Sequence, residues 1–178
     1  MNSDILKVLY SAQDIDATVR RLAATVHDDY ADAKPLCVCV LKGAVVFMTD
    51  FIRAYDDYLE IDFMDVSSYY GGTESTGDVR IDKDLDTSVK GRDVLIVEDI
   101  VDTGTTLKAL KALFAHRGAR SVKIVALLDK PAGRTVDVQA DYVGETVPGE
   151  FLVGYGLDYK GLYRNLPYVG VLKPEVYK

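Results

Sequence analysis

The chain has only two cysteines and two histidines, and no apolar stretch near the roughly 20 residues that span a bilayer. Cys37 and Cys39 stand two apart in Leu36-Cys-Val-Cys-Val-Leu41, so on a strand both face one side. Two ligands do not make a zinc site, and we expect buried thiols packing as small apolar groups. His27 and His116 fall in helical stretches, the second just before Gly118, which suits helix surfaces rather than histidine chemistry. Positive charge is scarce as well: 21 Lys plus Arg face 28 Asp plus Glu, a net −7. That balance disfavours non-specific binding to nucleic acid or anionic membrane, so an anionic substrate needs local positive charge or a metal. Met1-Asn-Ser-Asp4 lacks the regions of a signal peptide, and we expect a cytoplasmic protein. No G-x-x-x-x-G-K-[ST] occurs, and Gly154-Tyr-Gly156 lacks the third glycine of a dinucleotide fingerprint.

What the chain does have is concentrated near its middle. Val94-Leu-Ile-Val97 is an unbroken apolar run, the mark of a buried parallel strand. Glu98 and Asp99 follow at its carboxyl end, then Asp102 beside the loop Thr103-Gly104-Thr105-Thr106. Leu107, Leu110, Leu113 and Phe114 then recur at helical spacing. A strand, a small-residue loop and a helix N-terminus form an anion cradle of unpaired amides and hydroxyls. Carboxylates beside such a cradle repel a simple phosphate. They suit a ligand that also offers hydroxyl groups and brings a divalent cation, such as a sugar bearing phosphate and diphosphate.

Apolar strands alternate with helices along the chain. Helices are expected from Asp14 to about Tyr30, from Ala44 to about Tyr55, and from the signature loop to near Gly118. Strands are expected at Leu36 to Leu41, Leu59 to Val66, Val79 to Ile81, Val94 to Val97, Val122 to Leu128, Tyr142 to Val143 and Val169 to Leu172. This order predicts one α/β domain over 1–178 with a mainly parallel central sheet flanked by helices. It puts Lys42, Glu98, Asp99 and Lys130 just past strand ends, where such sheets bind ligands. Ser67 to Gly77 is polar, glycine-rich and long for a structured connection.

Several residues around these strand ends have chemistry to offer. Lys42 with Gly43 can neutralise and closely approach a diphosphate oxygen, although a surface lysine fits the tripeptide equally well. Lys130 offers only donors, so aimed at a purine C6 substituent it favours an oxo group over an amino group. Phe151 can stack on a planar base or serve as a core aromatic.

Glu98-Asp99-Ile-Val-Asp102-Thr-Gly resembles the phosphoribosyl-diphosphate (PRPP) motif of type I phosphoribosyltransferases, and in wording its hypoxanthine-guanine branch. The likeness runs in order from about Leu36 to Leu172. It implies that family's fold, with a small hood subdomain and a flexible lid at 67–77. It also implies transfer of a 5-phosphoribosyl group from PRPP to a 6-oxopurine with Mg²⁺ as cofactor. The 5′-phosphate would lie on Asp102, Thr103, Gly104, Thr105 and Thr106, the ribose on Glu98 and Asp99, and the diphosphate on Lys42, Gly43 and Arg164. The purine would meet Lys130, Phe151, Leu152 and Asp158. Magnesium would meet Glu98, Asp99 and Asp158, and Asp102 would be the general base. Thr105 stands where some relatives carry lysine or glycine, with little consequence expected because backbone grips the phosphate. The family's loop at Leu41-Lys42-Gly43 is described with a cis peptide, and its members are commonly dimers or tetramers. An RNA-binding regulator on the same scaffold would need a basic face, which −7 argues against. A receiver domain would place its acids on the first strand, not past the midpoint.

Overall fold

Two periods in the sequence set the architecture: alternation by two along strands, and apolar stripes at helical spacing. The computed structural model describes residues 1–68 and 79–178. In chain order the elements are β1 (Ile5–Tyr10), α1 (Ala12–Asp29), β2 (Leu36–Leu41), α2 (Val45–Ala54), β3 (Glu60–Ser68), β4 (Val79–Lys83), β5 (Asp93–Val101), α3 (Thr105–His116), β6 (Ser121–Asp129), β7 (Tyr142–Thr146), β8 (Leu152–Val153), β9 (Val169–Leu172) and α4 (Pro174–Tyr177). Six strands form one sheet in the order β4-β3-β2-β5-β6-β7. All its pairings are parallel except β3 with β4. The expected α/β class and mainly parallel sheet are what the chain forms.

Both faces of this sheet are covered, which explains why its central strands read as continuous apolar runs. Cys37, Cys39, Leu95, Val97, Val125 and Leu127 pack into the layer that holds α1 and α2. Their neighbours Leu36, Val38, Val94, Ile96, Ile124 and Ala126 pack on the opposite side with Leu110 and Phe114 of α3. Cys37 and Cys39 do share a side, and burial pushes each thiol up to about 12, leaving them inert packing groups. The first helix starts at Ala12, two residues before the expected Asp14, because Ser11 is the cap. The Ser11 hydroxyl accepts from the Asp14 amide at 3.2 Å, and the Asp14 carboxylate accepts from the Ser11 amide at 2.9 Å.

Strand order locates the ligand crevice in a sheet of this kind. From β2 the chain proceeds outward to β3 and β4; from β5 it proceeds the other way, to β6 and β7. The two crossovers diverge between β2 and β5, opening a cleft at their carboxyl ends.

A second, antiparallel sheet, β1-β9-β8, forms the hood over that end. It joins the two ends of the chain. The Lys173 amide donates to the Asp4 carbonyl at 2.9 Å, and the Tyr163 hydroxyl to the Asp4 carboxylate at 3.0 Å. Val153, Tyr163, Leu166 and Leu172 make its small apolar centre. Of the expected lid, only residues 67 and 68 are described, where they end β3; 69–77 lie outside the described residues. Among the described residues no helix is long and apolar enough to cross a membrane.

Candidate active site

The acid pair sits inside a strand rather than past its end, which corrects the sequence expectation. Strand β5 continues to Val101 because β6 keeps pairing with it as far as Val101 opposite Asp129. On its other side β2 pairs only from Leu36–Val94 to Cys39–Val97. Beyond Val97 that edge is open, and Glu98 and Asp99 occupy the opening. The β2 chain turns away there through a cis Leu41–Lys42 peptide. Gly43 then packs directly on Asp99: a Cβ at this position would overlap the Asp99 Oδ2. Only a residue without a side chain leaves that carboxylate its place.

Burial governs the electrostatics of the pair. Asp99 is 8% exposed, its Oδ1 accepting from the Ile100 amide at 2.7 Å. Glu98 Oε1 accepts from the Asp99 amide at 3.2 Å. Loss of water pushes both carboxyls above their ordinary range. Glu98 is moved further, because the Asp99 charge beside it adds to burial. Asp99 is restrained by its hydrogen bond with Glu98 and by the nearby Arg164 guanidinium. Of the two, Glu98 is therefore the one more strongly biased toward its protonated form. Arg164 is itself fixed, donating to the Gly156 carbonyl at 2.6 Å and pairing with Asp158 at 2.7 Å. The second Asp158 oxygen accepts from the Gly161 amide at 2.7 Å.

Most of the expected site residues meet around two adjoining hollows. One, of about 360 Å³, is lined by Gly43, Glu98, Asp99, Asp102, Lys130, Phe151, Leu152, Asp158 and Arg164. The other, of about 210 Å³, is lined by Thr103, Gly104 and Thr106 and shares Glu98 and Asp102 with the first. Gly104 caps α3 at φ +83°, a left-handed conformation, and the first-turn amides of α3 lack helical partners. Lys42 and Thr105 do not line either hollow. The Lys42 side chain is exposed, and the Thr105 amide leans on the Thr103 hydroxyl at 3.4 Å. A larger depression of about 510 Å³ lies elsewhere, between α1 and α2, where Tyr155 is tied to Asp50 and Arg20 to Asp16.

On the far wall Lys130 Nζ donates to Asp102 Oδ2 at 3.1 Å. A residue missed in the sequence holds this corner together. Arg134 donates to the carbonyls of Asp102 at 3.0 Å, Val101 at 3.2 Å and Val138 at 2.5 Å, and pairs with the Asp129 carboxylate. One planar guanidinium thus ties the ends of β5 and β6 to the 134–138 loop. Its only sequence signal is an arginine four residues after Lys130 with Asp129 before it. Phe151 is half-buried, and its ring is less free than expected. Tyr177 stacks on it at 4.8 Å between centroids and 24° between planes, and Tyr159 meets it edge-on at 5.5 Å and 89°.

Among the described residues no three His, Cys, Asp or Glu side chains form a ready-made metal cage. Glu98, Asp99 and Asp158 do border one hollow. As hard oxygen donors they suit a small divalent cation that takes its other ligands from water and a phosphorylated substrate.

A family model described as the phosphoribosyl transferase domain matches residues 7–160. The hypoxanthine-guanine phosphoribosyltransferase of Bacillus subtilis (strain 168) is 58% identical over 178 residues, covering 100% of this chain and 99% of that protein. The bifunctional protein TilS/HprT of Listeria monocytogenes is also 58% identical, but the chain spans only 27% of its length. A crystal structure of a hypoxanthine phosphoribosyltransferase from Staphylococcus aureus superposes with a TM-score of 0.96 at 54% identity, covering 100% of this chain and 97% of that one.

The upward displacement of the Glu98 carboxyl generates a stability prediction. An acid whose pKa is higher folded than unfolded weakens the fold when it ionises. That cost is complete above the folded pKa, shrinks as pH falls, and is gone below the ordinary value of 4.5. Without divalent metal at about pH 8, Glu98→Gln should melt roughly 2–4 °C higher than the parent chain. The gain should vanish near pH 4.5. Equal or lower melting at the alkaline pH, read by calorimetry, contradicts the assignment.

Proposed function

The chain belongs to the phosphoribosyl transferase family, and on that premise we propose that it transfers the 5-phosphoribosyl group of PRPP to hypoxanthine or guanine. The products are the purine nucleoside monophosphate and diphosphate, a purine-salvage reaction with magnesium as cofactor. One observation carries the reading. The Lys130 ammonium and the Asp102 carboxylate stand 3.1 Å apart on the wall of the hollow that also holds Phe151, Glu98, Asp99 and Arg164. A donor-only group beside an acceptor matches the O6 and N7 side of a 6-oxopurine. Adenine sets an amino group against the ammonium and leaves a donor unpaired.

The roles follow from position. The smaller hollow takes the 5′-phosphate, held by amides opening α3 and the hydroxyls of Thr103 and Thr106. Glu98, shared by the two hollows, and Asp99, on the larger one, bind the ribose hydroxyls. Arg164 and the Gly43 backbone face the diphosphate. Glu98, Asp99 and Asp158 would hold magnesium, which would supply Lewis-acid stabilisation of the diphosphate leaving group. As the C1–O bond breaks, electrons pass to the diphosphate and positive charge grows on the sugar ring. A purine ring nitrogen then forms the new bond to C1. Asp102, poised by Lys130 and by the grip of Arg134 on its carbonyl, takes or shares the proton on the N7 side.

Ultraviolet detection of nucleotide formed from hypoxanthine, guanine, xanthine or adenine with PRPP and magnesium tests the proposal. Oxopurines should react and adenine should not; no product from any of them overturns it. In the same assay Asp102→Asn should lower kcat by roughly 10²–10⁴-fold with PRPP affinity changed less. Normal turnover removes Asp102 from the mechanism. Lys130→Ala should raise the oxopurine KM by about tenfold or more while moving the PRPP KM less. Equal losses for both substrates would instead mark general damage to the site.

A further inference from the structure

We propose that Tyr177, on the last turn of the chain, is a positioning residue that fixes the plane Phe151 offers to the purine. The inference rests on the purine reading above. Phe151 borders the larger hollow beside Leu152 and Lys130, whereas Tyr177 does not line it. The tyrosine therefore backs the platform without lining the cavity. Its ring lies nearly parallel to that of Phe151, at 24° and 4.8 Å, and Tyr159 closes the edge at 89° and 5.5 Å.

The chain end is anchored so as to deliver this contact. The Leu172 amide donates to the Phe151 carbonyl at 2.9 Å, and the Lys173 amide to the Asp4 carbonyl at 2.9 Å. Leu172 is fully buried in the hood, with Val176 packed against the same cluster. Pro174 then opens the single turn of α4, which brings Tyr177 back over Phe151. A phenylalanine ring otherwise has a broad second torsion. Held from behind and from one edge, it meets the base already in place, so less freedom is lost on binding. The contact consists of ring faces; the tyrosine hydroxyl has no part in it.

Steady-state kinetics on the full-length chain with magnesium tests the proposal. Tyr177→Ala should raise the oxopurine KM by roughly three- to tenfold, the equivalent of one aromatic pair, with kcat and the PRPP KM within about twofold. Tyr177→Phe should behave as the parent. An unchanged oxopurine KM in Tyr177→Ala overturns the proposal. So does a joint rise of both KM values with a lowered Tm, or a Tyr177→Phe variant as impaired as Tyr177→Ala. A parent chain that turns over no purine overturns the function reading and this inference together. Normal parent turnover with an indifferent Tyr177→Ala overturns this inference alone.

Discussion

Two neighbouring carboxyls held out of water at the split between β2 and β5 are the constraint around which the rest of the site is arranged. Adjacent acids in a dry place repel each other and lose hydration, which biases both toward their protonated forms, Glu98 the more strongly. Such a feature weakens the fold and has value only if a ligand relieves it. In the proposed reaction, sugar hydroxyls and a divalent cation do so. The surroundings then fall into order. The pairing of β2 with β5 must stop at Cys39–Val97 to open the edge of β5, Gly43 must lack a side chain to clear Asp99, and Arg164 must stand near to limit the repulsion.

An acidic chain that binds a polyanion has to bring its cations in by hand. Two border the site, each already oriented by acceptors: Lys130 by Asp102, and Arg164 by Asp158 and the Gly156 carbonyl; Arg134, held by three carbonyls and Asp129, braces the ends of β5 and β6. Fixed charges of this kind need little rearrangement as negative charge develops on a leaving group. Their partners also neutralise them in the free protein, so the site does not depend on the overall field of the molecule. In the proposed reaction, phosphate recognition is handed to backbone amides at the start of α3, which carry no formal charge.

Legibility in the sequence followed contact range. The central sheet was readable because a strand buried on both faces prints an unbroken apolar run, as in Leu36–Leu41 and Val94–Val97. The motif from Glu98 to Thr106 was readable because its parts are consecutive. The true end of β5 was not, since whether Glu98 and Asp99 belong to the strand depends on β6 continuing alongside. Strands β1 and β8 were missed for related reasons: β8 has two residues, and β1 exposes Leu6, Lys7 and Val8, so neither shows a clean pattern. Arg134 reaches the Asp102 carbonyl 32 positions back and Tyr177 stacks on Phe151 26 positions back, contacts that spacing does not encode. Lys42, prominent in the sequence, turned out to present its side chain to solvent while its neighbours Leu41 and Gly43 form the wall.

The central claim is that the acid pair, the loop capped by Gly104 and the Arg164 corner make one pocket for a doubly phosphorylated pentose. Calorimetric titration of the intact protein with PRPP and magnesium, repeated in buffers of different ionisation enthalpy, tests it most directly. The account predicts one PRPP per chain, with buffer-dependent heat showing proton release as Glu98 takes up its ligand. A well-folded protein that binds no PRPP, or binds it with no proton exchanged at any pH, contradicts it.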